Sequence, residues 1–464
     1  MSTLPITLVP ALATSSPLRC EVPSRPDPAT PLSVAAPVFS LTFIVLLAYI
    51  TLEILRPEAL FSASAQTPIL RYVSIVLGAA FVIGRLFKPQ DRLRAPQNVF
   101  IVAFLIAIPV SLLLSGVGHA LGVAVNAFLD FGKIVLMYMV CGGTVTSRAR
   151  LTRLIGLLRL LTLYLAIGGI LTALHVVALP GFAIELGGRV RYAGVFADSN
   201  DFAQVLLVGG AFILDRAIWT GGRLSKTFWT LGALTVAAAV VFTASRGGFV
   251  GLLVLTGVAF ARVRGSVQAF LISCVVVLVL VVAMPSLVVE RLRGTTTDEE
   301  SAKGRIAAWT DGWYMFWSKP ISGVGYGRFR EDAGRTAHNT LVLISSETGA
   351  LGIYCWIGFF YLTFRMAMRL NVFGRGHPDY CLNATYDALL AYLSTAWFLS
   401  RAYMFLPYML VALALSAVFL AAKERGLTLN AFSQLRPTEL ISVGFAVVGW
   451  VALWKLHLLA GWNL

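Results

Sequence analysis

The chain of 464 residues is short of charge, of cysteine and of histidine. Asp, Glu, Lys and Arg make up 13% of it, where a soluble domain carries about a quarter. The hydrophobic share is 58% and the mean hydropathy +0.81, which excludes a soluble enzyme, a disordered chain and a collagen-like one. Five cysteines (Cys20, Cys141, Cys274, Cys355 and Cys381) lie far apart, none in a C-x-x-C pair and three in apolar runs. This speaks against a disulfide framework or a zinc site and for inert buried thiols. Acids are scarcer than bases: 22 Asp and Glu against 37 Lys and Arg leave a net charge of +15.

Long apolar runs are abundant instead. A membrane helix needs about 20 mostly apolar residues. Candidates lie near 37–55, 69–87, 98–115, 118–142, 153–178, 201–218, 227–243, 247–261, 267–289, 339–364, 384–402, 404–422 and 439–459. With 247–261 short and 384–422 divisible in more than one way, the pattern predicts an all-α, polytopic integral membrane protein of about twelve spans. Residues 1–37 hold eight of the nineteen prolines, and no basic stretch precedes a short apolar one, so no signal peptide is expected. Repeated prolines prevent a continuous helix. A Pro-rich tail, 1–36, is therefore expected ahead of a single helical membrane domain, 37–464.

The positive charge has a pattern. Every second loop is basic: Arg85 to Arg94, Arg148 to Arg153, Arg216 to Lys226, Arg262 and Arg264, Arg365 to Arg375, and Lys423 to Arg436. These loops carry 18 basic residues against four acids. By the positive-inside rule they face the cytoplasm, as does the N-terminus. The alternate loops then face outward: 56–68, the turn near 116, 179–200, 244–247, 290–338 and the turn near Arg401. Most of the charge is thus explained by topology, with no need for a nucleic-acid partner. The side of the C-terminus depends on whether 439–459 spans.

The long outward loop, 290–338, is mixed in charge, with eight basic and seven acidic residues. Within it, Ile306, Trp309, Trp313, Phe316 and Trp317 recur on one helical face over 304–317. Such a helix suits either the headgroup layer or packing on the protein itself, and in both cases roofs an outward cavity.

The short outward loops are poor in basic residues, so those that remain stand out. One cluster is Gly187-Gly188-Arg189-Val190-Arg191-Tyr192-Ala193-Gly194, followed by Asp198-Ser199-Asn200. A second is Ala244-Ser245-Arg246-Gly247-Gly248, and a third is Ala337-His338-Asn339. Arginine donates a bidentate fork to phosphate and stays charged, and glycines beside Arg246 allow close backbone approach. The alternative for Arg191 and Arg246 is a helix-end arginine snorkelling to lipid headgroups. Among the five histidines only His338 stands where the long loop meets a span. There a neutral imidazole is placed to accept a proton from a hydroxyl. No second metal ligand lies at the right spacing, so no metal is expected.

Other features carry less. Gly323-Val324-Gly325-Tyr326-Gly327 lacks the Lys-Ser/Thr of a phosphate loop and is expected to be a turn. Asp130 and Lys133, three residues apart inside a span, are expected to neutralise each other. Glu347 would lie about 13 Å deeper than His338 on a helix, too far for direct partnership. A helix dipole, a hydroxyl or an arginine such as Arg401 is its expected partner.

In this order, Arg191-Tyr192-Ala193-Gly194 through Asn200, Ser245-Arg246-Gly247-Gly248, the Gly323–Phe329 stretch, and His338-Asn339-Thr340-Leu341 through Gly352 resemble the bacterial O-antigen ligases. The related O-antigen polymerases and protein O-oligosaccharyl ligases share much of the pattern. The likeness is good over 185–365 and rests elsewhere on hydrophobicity and span number. Asp198-Ser199-Asn200 departs from it, since the family often has a proline before the asparagine. The resemblance implies a GT-C-type membrane glycosyltransferase of the bacterial inner membrane, with its active site facing the periplasm. It would move a polysaccharide from undecaprenyl diphosphate to a sugar hydroxyl of lipid A–core oligosaccharide, with inversion and without metal or other cofactor. Carried over, Arg191 and Arg246 would hold the diphosphate, His338 would be the general base, and Tyr192, Asn200 and Asn339 would support them.

The nearest alternative is the polymerase, which uses the same donor and another growing glycan as acceptor. Protein-glycosylating ligases often add a C-terminal soluble portion, whereas here the last apolar segment is expected to run almost to Leu464. A lipid-linked glycan transporter is an alternative of another class. It would call for discontinuous helices and polar residues at mid-membrane, for which Glu347, Asp130 and Lys133 are candidates, and for internal repeats, of which none is seen between the halves.

Overall fold

A computed structural model describes residues 40–57, 69–87, 95–116, 120–185, 188–193, 198–282, 296–370, 372, 379–427 and 434–461. The tail expected over 1–36 lies outside these residues, as do Cys20, His119 and His377. The described chain is almost wholly helical. Its first half runs α1 (Leu41–Leu55), α2 (Ile69–Phe87), α3 (Gln97–Leu114), α4 (Ala120–Thr144) and α5 (Arg148–Ala173). A two-stranded hairpin follows, β1 (Phe182–Glu185) and β2 (Arg189–Tyr192), then α6 (Ser199–Trp219), α7 (Arg223–Phe242), α8 (Arg246–Arg264) and α9 (Ser266–Val282). The second half is α10 (Thr296–Ser318), α11 (Arg328–Ala333), α12 (Thr340–Arg369), α13 (Tyr380–Ala396), α14 (Phe405–Glu424) and α15 (Pro437–Gly461).

Among the described residues, nine helices are long and apolar enough to cross a membrane, and three more apolar helices are shorter. The architecture is the expected all-α polytopic one, though its spans divide into these two groups rather than forming a uniform set of twelve. Helices apolar on all sides sink to the centre. The apolar stretch of α14 is 94% buried, that of α6 78% and that of α12 72%, and these three form the heart of the bundle. The cysteines behave as expected: Cys141, Cys355 and Cys381 are buried and free.

The alternation of loops is visible in contacts. At the basic end, Arg148 pairs with Asp379 and Glu424, and Arg425 donates to Leu370 O at 3.1 Å. Arg365 and Arg369 meet Glu439 at 3.0 and 3.1 Å. At the opposite end, Tyr192 Oη donates to Leu55 O at 2.8 Å, and Lys319 Nζ to Ser115 O at 2.6 Å. Segments expected on one side touch one another, and α15 joins the two ends. It begins beside Arg365 and Arg369, sends Trp450 Nε1 to Ser345 Oγ at 3.0 Å, and ends with His457 against Trp309.

The aromatic face of 304–317 packs on the protein. Trp309 is buried against Trp397 and donates to Ala337 O at 3.1 Å, and Trp313 lies edge-on to Trp454. Tyr314 stays exposed, as does Trp317 at the end of the aromatic face. This helix roofs the bundle just above His338.

The 30-residue α12 is interrupted. Gly349 adopts φ 64°, ψ −162°, which frees the carbonyls of Ser346 and Glu347 and the N–H groups of Ala350 and Leu351. The loop before α11 fills the gap. Val324 and Gly325 donate to Ser346 O and Glu347 O at 2.9 and 3.0 Å. Pro320 O and Ile321 O accept from Ala350 and Leu351 at 2.8 and 3.2 Å. All four groups are satisfied, as buried irregular backbone requires. The expected turn at 323–327 is this inserted loop. A Cβ on Gly349 would lie 2.4 Å from Ile321 O, and one on Gly323 2.3 Å from the Glu347 carbonyl carbon, so both positions need glycine.

Candidate active site

The first candidate cluster is built by strand alternation. In β2, Val190 and Tyr192 point inward and are fully buried, while Arg189 and Arg191 share the opposite face. Phe182 pairs in register with Tyr192, their rings 4.8 Å apart. Tyr192 supports the hairpin from beneath and anchors it to α1 through Leu55. Burial, with a smaller push from Tyr164, raises its hydroxyl to about 12, so it stays a donor. Arg191 lies 3.8 Å from Glu185.

Arg189, which the motifs alone did not single out, ties this hairpin to two helices. It donates to Asn200 Oδ1 at 2.8 Å and to Thr243 O at 3.1 Å. Asn200 is thereby fixed in the first turn of α6, where it also donates to Asp198 Oδ1 at 2.7 Å. Thr243 ends α7, two residues before the Ser245 cap and three before Arg246.

Three of the helices that begin at this end carry a side-chain cap. Asp198 caps α6 through Asn200 N at 2.6 Å, and Ser245 caps α8 through Gly248 N at 3.1 Å. Asn339 caps α12 through Leu341 N and Val342 N at 2.8 and 3.0 Å. Asn339 is fully buried, so its oxygen serves the helix start directly below His338. Arg246 is the exposed first residue of α8. Helix N-termini carry partial positive charge, which suits an anion. The α6 and α8 starts are in close contact, since a Cβ on Gly248 would meet Ala203 at 3.0 Å.

The segment 398–401 joins these helix starts to His338. Phe398 covers Gly247, Leu399 O accepts from Thr340 Oγ1 at 2.6 Å, and Arg401 N donates to the same hydroxyl oxygen at 3.1 Å. The Arg401 side chain pairs bidentately with Asp201 in α6. Burial works against the Arg401 charge, but Asp201 outweighs it and raises the pKa. Arg401 is therefore not the partner of Glu347. Glu347 accepts from Phe329 N at 3.1 Å and closes the inserted loop, while the Arg401 side chain is taken up by Asp201.

His338 sits in the left-handed region at φ 48°, and Ala244, beside the Arg246 turn, at φ 46°. Non-glycine residues seldom hold such angles, and where they do the surrounding structure enforces it. The His338 Nε2 lies 2.8 Å from Thr336 Oγ1. Burial lowers the imidazole pKa below 6.5, with Arg305 and Arg401 adding to the effect and Asp198 opposing it. These surroundings favour the neutral ring. It faces an open cavity of about 370 Å³ lined by Gly304, Arg305, Ala333, Gly334 and Arg335, two of them cations on the roof.

The fold and site define a helical membrane protein with a polar, cation-rich pocket at one end of its bundle. Residues 231–357 match the family model described as O-Antigen ligase. That stretch holds the Arg246 turn, the inserted glycine loop, His338-Asn339 and Glu347, and it supports membership of the O-antigen ligase/polymerase superfamily. Arg191 and Asn200 lie outside the matched residues. A comparison with curated proteins gave no match.

Proposed function

We propose that the chain transfers a glycan from undecaprenyl diphosphate to a sugar hydroxyl of lipid A–core oligosaccharide, at the periplasmic face of a bacterial inner membrane. One observation supports this most. Hydrogen bonds from Arg189 to Asn200 and Thr243 and from Arg401 to Asp201 and Thr340, joined through neighbouring residues of the chain, link the Arg191 hairpin, the Arg246 turn and the His338-Asn339 helix start. Two lone snorkelling arginines would not need such a frame.

In this reading Arg191 and Arg246 bind the diphosphate, aided by the starts of α6 and α8. The acceptor oxygen attacks the anomeric carbon as the bond from that carbon to the diphosphate oxygen breaks. The bonding pair leaves with the diphosphate, where fixed positive charge stabilises it without a metal. The acceptor proton passes to His338. With Nε2–H donated to Thr336, the lone pair that receives it is on Nδ1. Tyr192, Asn200 and Asn339 act as positioning residues through the hairpin and the two helix caps.

The broken α12 is a feature favouring a transporter, since discontinuous helices line many transport sites. Here the freed backbone groups are taken up by the 320–325 loop, which leaves none of the four to a substrate. Ligase and polymerase differ only in acceptor. Purified protein given undecaprenyl-diphosphate glycan with lipid A–core should yield a larger lipopolysaccharide. A longer lipid-linked glycan, with lipid A–core unused, would identify a polymerase instead.

A further inference from the structure

Asp130 and Lys133 form their expected ion pair, 2.7 Å apart, but its setting is unusual. Both side chains are more than half exposed, at 63% and 55%. They also sit near mid-depth. Tyr138 of α4 bonds Asn98 at the start of α3, and Phe131 packs on Phe104 near the middle of α3, with ring centroids 5.3 Å apart. Around the pair the surface is apolar and exposed: Phe128 and Leu129 on α4, Val102 and Ile106 on α3. Charged residues at this depth ordinarily face a bundle interior or a water-filled cavity, because hydrocarbon does not solvate them.

Asn126 extends the polar strip, being exposed one turn before Asp130. Asn126, Asp130 and Lys133 follow the i, i+4, i+7 spacing of one helical face. None of the functional assignments above uses this face.

We infer that this face of α4 is the contact with a second copy of the chain. The charges are self-complementary. Related by a two-fold axis along the membrane normal, two α4 helices run in the same direction. Each then offers a carboxylate and, about one turn deeper, an ammonium. Asp130 of each copy meets Lys133 of the partner subunit, so both pairs leave the lipid, and the Asn126 amides hydrogen-bond across the axis. A neutral lipid tail complements neither charge, and a single copy leaves both in the hydrocarbon.

The test uses the full chain in lipid nanodiscs or native membranes, with Cys20→Ser to remove a competing thiol. Asn126→Cys leaves both charges intact and should cross-link copies under mild oxidation. Leu234→Cys, exposed on α7, is the control and should not. Asp130→Lys or Lys133→Asp alone should reduce single-particle counts from two copies to one. Co-expressing the two variants should restore pairs that contain one of each, because one face then carries two cations and the other two anions. The inference is overturned if Asn126→Cys cross-links no more than the control, or if the wild-type protein counts as one copy. It is also overturned if the two variants inserted together fail to pair.

Discussion

Arg401 holds Asp201 while its own backbone N–H donates to Thr340 Oγ1, so one residue fastens the start of α6 to the start of α12. Asp201 is 2% exposed and Arg401 32%. Removing one partner of a buried pair costs about 3–5 kcal/mol, and the partial exposure of Arg401 places Asp201→Asn near the lower bound. We expect a lowered unfolding temperature in detergent together with reduced transfer, because the two helix starts lose their common tie. A variant with an unchanged melting temperature would show that the pair is not a structural tie.

The arginines of the hairpin should separate by role. Arg191→Ala and Arg246→Ala are expected to raise the donor concentration needed for half-maximal rate and leave thermal stability near that of wild type. Arg189→Ala removes the bonds to Asn200 and Thr243, so it should lower stability as well as rate. Donor titrations and melting curves on the same preparations check this. Equal effects of all three on stability would remove the distinction.

The low pKa of His338 fixes the direction of the pH dependence. Proton acceptance needs the neutral ring, so activity is full above its pKa and falls as pH drops through it. That fall should lie below pH 6.5. Arg305→Gln removes one of the charges that depress the value. The acid limb should then move towards higher pH, and only part of the way back, since burial is the larger cause. A pH–rate profile of both proteins measures the shift, and a move towards lower pH would contradict the assignment.

Gly349→Ala should be among the most damaging single changes. It demands an unfavourable φ and places a methyl carbon against the Ile321 carbonyl. Strained backbone costs of order 1–3 kcal/mol and overpacking a further 1–3 kcal/mol, so a loss of about 2–6 kcal/mol is expected. Loss of folded protein on size-exclusion chromatography would report it. Wild-type stability would mean that the loop is not wedged into the break.

The helices and the side-to-side alternation of charge were legible in the sequence because lipid forces long apolar runs and insertion sorts basic residues. His338, Arg246 and Arg191 stood out because cations and histidine are scarce on the outward loops. The hairpin was less visible. Its signal is the alternation Phe182 to Glu185 and Arg189 to Tyr192 about a Gly-Gly pair, short enough to pass for a glycine-rich loop. The break at Gly349 left only a weak mark, the polar run Ser345-Ser346-Glu347-Thr348 before the glycine, which a continuous helix could also carry. The partner of Arg401 was also out of reach. Asp201 is 200 residues away in the chain, and only the packing of α6 beside α13 brings it near.

The central claim is proton acceptance by His338 during glycan transfer. The most direct measurement is the initial rate of lipopolysaccharide formation by purified wild type and His338→Ala. Undecaprenyl-diphosphate glycan and lipid A–core would be supplied at matched amounts of folded protein. The account predicts transfer by wild type and loss of about 10²–10⁴-fold in the variant, the range for a general base, with donor binding retained. Full activity in His338→Ala would contradict it.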